Sequence, residues 1–432
     1  MTLFNVLSIS ILGFSSSAIL LNAQVDPGVR PGPPGAGGTI AGMSGGEQDF
    51  FSNHGIPQFS EVETVAEGLG PRFNLNSCGG CHAQPAMGGS SPAINPQVAN
   101  LAGMAPGNTV PPFLSMNGPV REVRFIRNPD GTPDGGVHDI FTIVGRPDAP
   151  AGCAITQPNF SNTNNIIFRI PTPIFGGGLI EAIPNSTLQQ NLASNPNLKS
   201  ILGIKGRLNT SGNDGTVTRF GWKAQNKSLE IFAGEAYNVE MGVTNEVFPN
   251  EREEDPKCAT NGTPESLSVL SIGSTAPSDV LAFMGFMKFL DQPTPACTGG
   301  ACSSSIQDGR AIFGLIGCAT CHTPTLTTGN SSSPALSHQQ VNLFSDLAIH
   351  HMGSQLSDGV TQGTAGPDEF RTAPLWGVGQ RIFFLHDGRA SDLLQAILDH
   401  SGQNSEANRV VNVFQALGKT QKQDLLNFLR SL

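Results

Sequence analysis

Charge is what this chain is short of. Only 13% of its 432 residues are Asp, Glu, Lys or Arg, against 52 Gly and 32 Pro. That composition argues against a bundle of idealised helices and for a loop-rich protein with long ordered connections. A basic excess is also missing: the formal net charge is -10 at pH 7, which makes nucleic acid a poor partner and a small, locally basic one a good partner. The first 23 residues carry no charge at all. Residues 6–21 are apolar with interspersed serines, and Leu21-Asn22-Ala23 offers a small residue before a cut. This is the pattern of a secretory signal lacking its basic n-region. It is too short and serine-rich for a permanent span, so an exported, periplasmic protein is expected rather than an integral membrane one. Aromatic hydroxyls are nearly absent, with Tyr237 the only tyrosine, and there are two tryptophans, Trp222 and Trp376.

What is present is one short motif, twice. Cys78-Gly79-Gly80-Cys81-His82 and Cys318-Ala319-Thr320-Cys321-His322 lie 240 residues apart. Each reads CxxCH, the attachment site of a c-type haem. Two thiols reach the two vinyl groups of one porphyrin edge, and the adjoining imidazole becomes the proximal ligand of the iron. A zinc site would need four ligands around each metal, or the two pairs brought together. The sequence therefore predicts two covalently bound haem c groups, held by Cys78, Cys81 and His82 and by Cys318, Cys321 and His322.

Four cysteines remain: Cys153, Cys258, Cys297 and Cys302. An even remainder in an oxidising compartment predicts two disulfides. Three connectivities are open. The flexible Thr-Gly-Gly-Ala between Cys297 and Cys302 favours a small closed loop there, leaving Cys153 for Cys258. Residues 25–46 are Pro/Gly-rich and read as a tether (24–46) without a packed core.

The motifs sit in a longer repeat. Phe73 and Phe313 each lie five residues before the first motif cysteine, with Gly68 and Gly70 or Gly309 ahead of them. Each motif is followed by an apolar helix with i, i+3, i+4 spacing, at 278–290 and 421–432. The expected fold is mainly α: two cytochrome c-like haem domains, 47–292 and 293–432, the first with a long loop and strand insertion. That insertion carries β-like runs at 120–127, 139–144 and 165–170 and turn signals at Asp130-Gly131 and Asp134-Gly135. An insertion of this length usually shapes a substrate site or a docking surface.

The sixth position of each iron decides the chemistry: a thioether makes an electron-transfer haem, whereas an open site permits peroxide or oxygen chemistry. For the second haem Met352, 30 residues beyond His322, is the leading candidate. His350 or His351 would instead give a bis-histidine iron. For the first haem, Met241-Gly242 echoes Met352-Gly353, and Met87 is a weaker option. O–O cleavage needs a group that moves a proton from one oxygen to the other, and Glu181, alone in the apolar stretch 175–184, is the candidate acid/base. Pairing to an arginine is its bland alternative. Packing is expected of both tryptophans, and a hydrogen-bonded core role of Tyr237.

One further phrase carries a family likeness. Phe370-Arg371-Thr372-Ala373-Pro374-Leu375-Trp376 is followed by Phe384-Leu385-His386-Asp387-Gly388-Arg389-Ala390. With the two CxxCH units this resembles the bacterial dihaem cytochrome c peroxidase superfamily. It is most similar to the dihaem oxidoreductase branch, through Gly68-Leu69-Gly70-Pro71-Arg72-Phe73-Asn74, Gly178-Leu179-Ile180-Glu181-Ala182-Ile183-Pro184 and Phe220-Gly221-Trp222-Lys223-Ala224. The resemblance spans most of residues 47–432. It implies a peroxidatic N-terminal haem fed by an electron-transfer C-terminal haem, a small cytochrome or cupredoxin as electron donor, and peroxide or another small substrate. A calcium ion between the domains is left open. The methionine such peroxidases place just before the Phe-Lys/Arg segment is absent from 361–369, so that ligand must come from elsewhere. Oxidation of an organic or protein substrate, and a non-catalytic electron wire, are the competing functions.

Overall fold

The computed structural model describes residues 24–100, 107–134, 136–251, 255–259, 261–266 and 277–432. The expected signal segment, residues 1–23, and Gly135 lie outside the described residues. The chain is helix-rich. Among the described residues the strands form four two-stranded antiparallel sheets and no dominant sheet, as a mainly α, loop-rich protein requires. Among the described residues no helix is long and apolar enough to cross a membrane.

Two helix crossings organise the molecule. In the C-terminal half, helix Ser304–Leu315 packs across helix Lys419–Ser431. The first is started by Ser303, whose Oγ accepts from Ile306 N. They touch at Gly309, where a β-carbon would run into the Asp424 carbonyl and come within 2.7 Å of Phe428 Cβ. One turn on, Phe313 meets Phe428 with ring centroids 5.4 Å apart. In the N-terminal half, residues 45–60 form a helix with a π-helical segment at Phe51–Gly55. It crosses helix Asp279–Phe289, which Ser278 caps. A β-carbon on Gly55 would lie 3.1 Å from Phe286 N, and Phe59 stacks on Phe286 at 4.3 Å.

The duplicated unit is therefore Gly-x-x-x-Phe, Gly55 to Phe59 and Gly309 to Phe313. This corrects the register expected from sequence. Phe73 is not the partner of Phe313: it lies in strand Arg72–Phe73, pairing with Phe141. A loop between Phe59 and Cys78 displaces the first motif, so equal spacing from the cysteine pointed to the wrong ring.

The insertion supplies the expected strands. Glu122–Phe125 pairs with Ile166–Arg169, and Phe141–Thr142 pairs with Arg72–Phe73. Both expected disulfides are formed, Cys153–Cys258 and Cys297–Cys302. The Pro/Gly-rich segment is not the unpacked tether its composition suggested. It is a strap laid across both halves. Asp26, buried, makes two 2.6 Å bonds to Arg430 and accepts from Leu393 N. Arg30 N donates to Gly379 O, and Ile40 N donates to Phe289 O. The backbone of a proline-rich chain still carries carbonyls and some amides, and here they are paired with the body of the protein.

Two glycines of one helix give opposite predictions. Gly309→Ala should destabilise by about 1–3 kcal/mol through overpacking. Gly314, with nothing within 4 Å of its added β-carbon, should gain up to ~1 kcal/mol as Ala. Urea unfolding of the two variants checks the pair.

Candidate functional site

Each motif opens on a cavity, about 1120 Å³ at Cys78-Cys81-His82 and about 1480 Å³ at Cys318-Cys321-His322. The four motif cysteines are free, and burial pushes their thiols up, that of Cys318 to about 12.

The two histidines are held alike. His82 Nδ1 donates to Gly89 O at 2.9 Å, and His322 Nδ1 donates to Phe344 O at 3.0 Å. Each bond fixes the tautomer and leaves Nε2 as the lone-pair nitrogen, the arrangement a metal-binding imidazole needs. Burial lowers both rings to about 4, so they are neutral. Phe59 stands edge-on to His82 at 6.0 Å, and Phe313 is tilted against His322 at 6.3 Å. The helix crossings thus position the imidazoles.

These residues fit a haem and do not fit zinc. Among the described residues the group of three or more His, Cys, Asp or Glu with ligand atoms within 4.8 Å is Cys321, Asp346 and His350. It uses one cysteine of the second motif and none of the first, and the two cysteine pairs line separate cavities.

Beyond the motifs the cavities differ. The first has a polar wall: Glu122, Glu235 and Glu240 face Arg121, Arg124 and Arg169, and His82 is its one histidine. Glu240 is hydrogen-bonded to Glu122. Burial, then the neighbouring Glu122 charge and hydrogen bond, hold its carboxyl well above the usual carboxylate range. Two acids that share a hydrogen bond away from water resist ionising together. Helix Leu229–Met241 delivers Glu240 together with Tyr237 and Met241. Tyr237 donates to Glu63 Oε1 at 2.9 Å, the hydrogen-bonded core role expected. Met241 Sδ lies 3.7 Å from Cys78 Sγ.

Glu181 is not brought to either cavity wall. Its Oε1 accepts from Leu229 N at 2.8 Å. It anchors the start of the helix whose far end carries Glu240. The acid in the cavity was missed because Glu240 looks like one of several surface-spaced glutamates, while its partner Glu122 arrives from a strand in the insertion.

The second cavity is apolar and holds four histidines: His322, His350, His386 and His400. His350 has both nitrogens engaged, Nε2 with Asp346 Oδ2 at 3.0 Å and Nδ1 with Glu406 Oε2 at 2.9 Å. His351 is exposed and bonded to Asp368. Met352 lines the cavity, packed with Trp222 and Phe370. His386 stacks on Phe370 at 4.2 Å. His400, unforeseen from sequence, ends helix Leu393–Asp399. Its Nδ1 donates to Ala396 O at 2.6 Å, which frees Nε2, and its ring centroid is 6.5 Å from that of His322. A histidine closing an apolar-patterned helix was the only signal.

Trp376 packs in the core against Gly176, as expected. Trp222 does more than pack: among the described residues it alone lines both cavities, with Nε1 donating to Ile170 O at 2.9 Å. Beside it, Lys223 is fully buried. Its Nζ lies within 3.2 Å of Asp358 and the Gly366, Pro367 and Glu369 carbonyls, and 4.0 Å from the Phe370 ring centroid.

Comparison with known proteins adds a family. The family described as "Di-haem oxidoreductase, putative peroxidase" matches residues 137–432. No curated protein sequence matches the chain. Among solved structures, hydrazine synthase of Kuenenia stuttgartiensis is 16% identical, covering 62% of this chain and 73% of that one, TM-score 0.33. The diheme peroxidase BthA of Burkholderia thailandensis is 14% identical over 58% and 77%, TM-score 0.32. A MauG-like protein associated with microbial copper homeostasis is 16% identical over 58% and 89%, TM-score 0.30.

The Glu63–Tyr237 pair makes stability depend on pH. Burial raises Glu63 to about 8, against roughly 4.3 in an unfolded chain. The folded state therefore holds this proton more tightly. Its contribution is fully present below the unfolded value and is lost as pH rises through about 8. Glu63→Gln should flatten that decline between pH 5 and 8, measured by urea unfolding at a series of pH values.

Proposed function

The chain belongs to the di-haem oxidoreductase family, and we propose that it is an exported c-type enzyme that reduces hydrogen peroxide in the N-terminal cavity with electrons entering through the C-terminal one. Cys78, Cys81 and His82 would hold one haem, and Cys318, Cys321 and His322 the other. When bound, the two groups supply one-electron chemistry and an iron able to take up an oxygen ligand.

The single observation carrying the assignment is the hydrogen-bonded Glu240–Glu122 carboxyl pair on the wall of the cavity that contains one histidine. Reduction of hydrogen peroxide to two waters consumes two electrons and two protons. A proton must leave one oxygen and reach the other, and a buried carboxylic acid hydrogen-bonded to a second carboxylate suits that transfer. Arg121, Arg124 and Arg169 keep the wall polar. In this reading Glu240, not Glu181, is the acid, and Glu181 is a positioning residue for its helix.

The opposite cavity is built to exclude substrate. His322 and His400 face it with free Nε2 atoms and rings 6.5 Å apart. Were His322 and His400 both to hold the iron of the C-terminal haem, no position would be left for an oxygen ligand. His400 thus replaces Met352 as the sixth-ligand candidate. Met352 and Met241 become wall residues, the first against Trp222 and the second against Cys78. Trp222, shared by both walls, gives electrons an aromatic route between them.

Two measurements test this. Glu240→Gln should lower peroxide turnover with a reduced donor by about 10²–10⁴-fold at unchanged haem content. Undiminished turnover removes Glu240 from the mechanism, and peroxide consumption without donor oxidation points instead to an organic or protein substrate. In the optical spectrum, His400→Ala should convert one low-spin haem to high-spin while Met352→Ala changes neither; the reverse pattern restores the methionine.

A further inference from the structure

Two guanidinium groups in the C-terminal cavity have no counter-charge. Arg371, the last residue of strand Glu369–Arg371, and Arg381, just after the turn Val378–Gln380, both line that cavity and are each 5% exposed. Arg371 Nη1 donates to the Arg219 carbonyl at 3.2 Å, and its Nε, like those of Arg169 and Arg219, has no partner. Arg381 has neither Nε nor Nη2 satisfied. No carboxylate of the described residues is paired with either.

Other buried arginines show what the protein does when a guanidinium is structural. Arg430 is paired with Asp26 and Arg169 with Asp358. Arg219, without a carboxylate, is wrapped by the carbonyls of Ile180, Glu181 and Ile183 and by Asn185. Arg371 and Arg381 have neither solution. Burial lowers both to about 10, so they remain charged near neutrality. The cavity's one carboxylate, Glu406, is already committed to His350 and to the amides of Lys205 and Gly206. Two isolated cations in an apolar chamber are among the costliest arrangements a fold can hold. Arginine is also the side chain whose planar fork matches a carboxylate.

We propose that Arg371 and Arg381 receive the two propionate carboxylates of the C-terminal haem, one site per arginine, and thereby fix the porphyrin edge that carries no vinyl group. The inference rests on the dihaem reading above. It adds the anchoring partners and their electrostatic effect. Two positive charges at the rim of one haem favour its reduced form, so they raise its potential above what two imidazole ligands alone would set.

The test uses the haem-loaded protein. Two haems per chain in the parent, measured from the alkaline pyridine spectrum, establish the dihaem reading independently; fewer than two would fail that reading and not this one alone. Redox titration and resonance Raman spectra of Arg371→Gln and Arg381→Gln should then show a downward shift in potential and altered propionate bands, both confined to the C-terminal haem. Arg→Lys variants, which keep the charge, should shift the potential less. Potentials and propionate bands unchanged in both Gln variants would overturn the assignment. So would changes confined to the N-terminal haem, or loss of haem that Lys does not restore.

Discussion

The hydrogen bond from a histidine Nδ1 to a loop carbonyl, made once in each half, is the constraint on which the functional architecture turns. A histidine beside two cysteines is chemically ambiguous: it can present either nitrogen, or become a cation. Gly89 O and Phe344 O remove that freedom for His82 and His322, and burial removes the charge. The carbonyls hold the rings in place only because Phe59 and Phe313 stand beside them, and those rings are placed by helix contacts that require glycine one turn earlier. Sequence, helix crossing and ligand orientation form one chain of dependence, repeated.

On this shared frame the two cavities diverge through what surrounds the histidine. The insertion contributes Glu122, Arg121, Arg124 and Arg169 to the first wall, where acids and guanidiniums face one another. The second wall is drawn from the C-terminal half and concentrates imidazoles in an apolar space. A single tryptophan joins them. The repeated frame presents His82 and His322 alike, and the asymmetry comes from a segment present in only one of the two halves.

Much of this was legible in the sequence because it is local. The CxxCH motifs, the closing helices, three short strands and the Cys297–Cys302 disulfide follow from neighbours in the chain, and Cys153–Cys258 followed by elimination. What was not legible is what depends on pairing across distance. Glu181 stood out as a lone acid in an apolar stretch, and that signal was real, but the Leu229 amide it satisfies lies 48 residues away. Glu240 gains its character from burial and from Glu122 on a distant strand. His400 was hidden because the His350-His351-Met352 cluster offered three candidates nearer to His322, and two of these prove to be engaged by Asp346, Glu406 and Asp368. The Gly-x-x-x-Phe repeat was visible in principle, yet the loop before Cys78 made counting back from the cysteine misleading.

The strap across both halves has a consequence for how the chain is assembled. Asp26 and Arg430 are separated by 404 positions, so an early-made segment must wait for almost the last turn of helix before its carboxylate finds a partner. Synthesis releases the amino-terminal part first, and until helix Lys419–Ser431 is made Asp26 lacks its arginine partner. Docking of Asp26 is therefore a late event, since it cannot precede the turn of helix Lys419–Ser431 that carries Arg430.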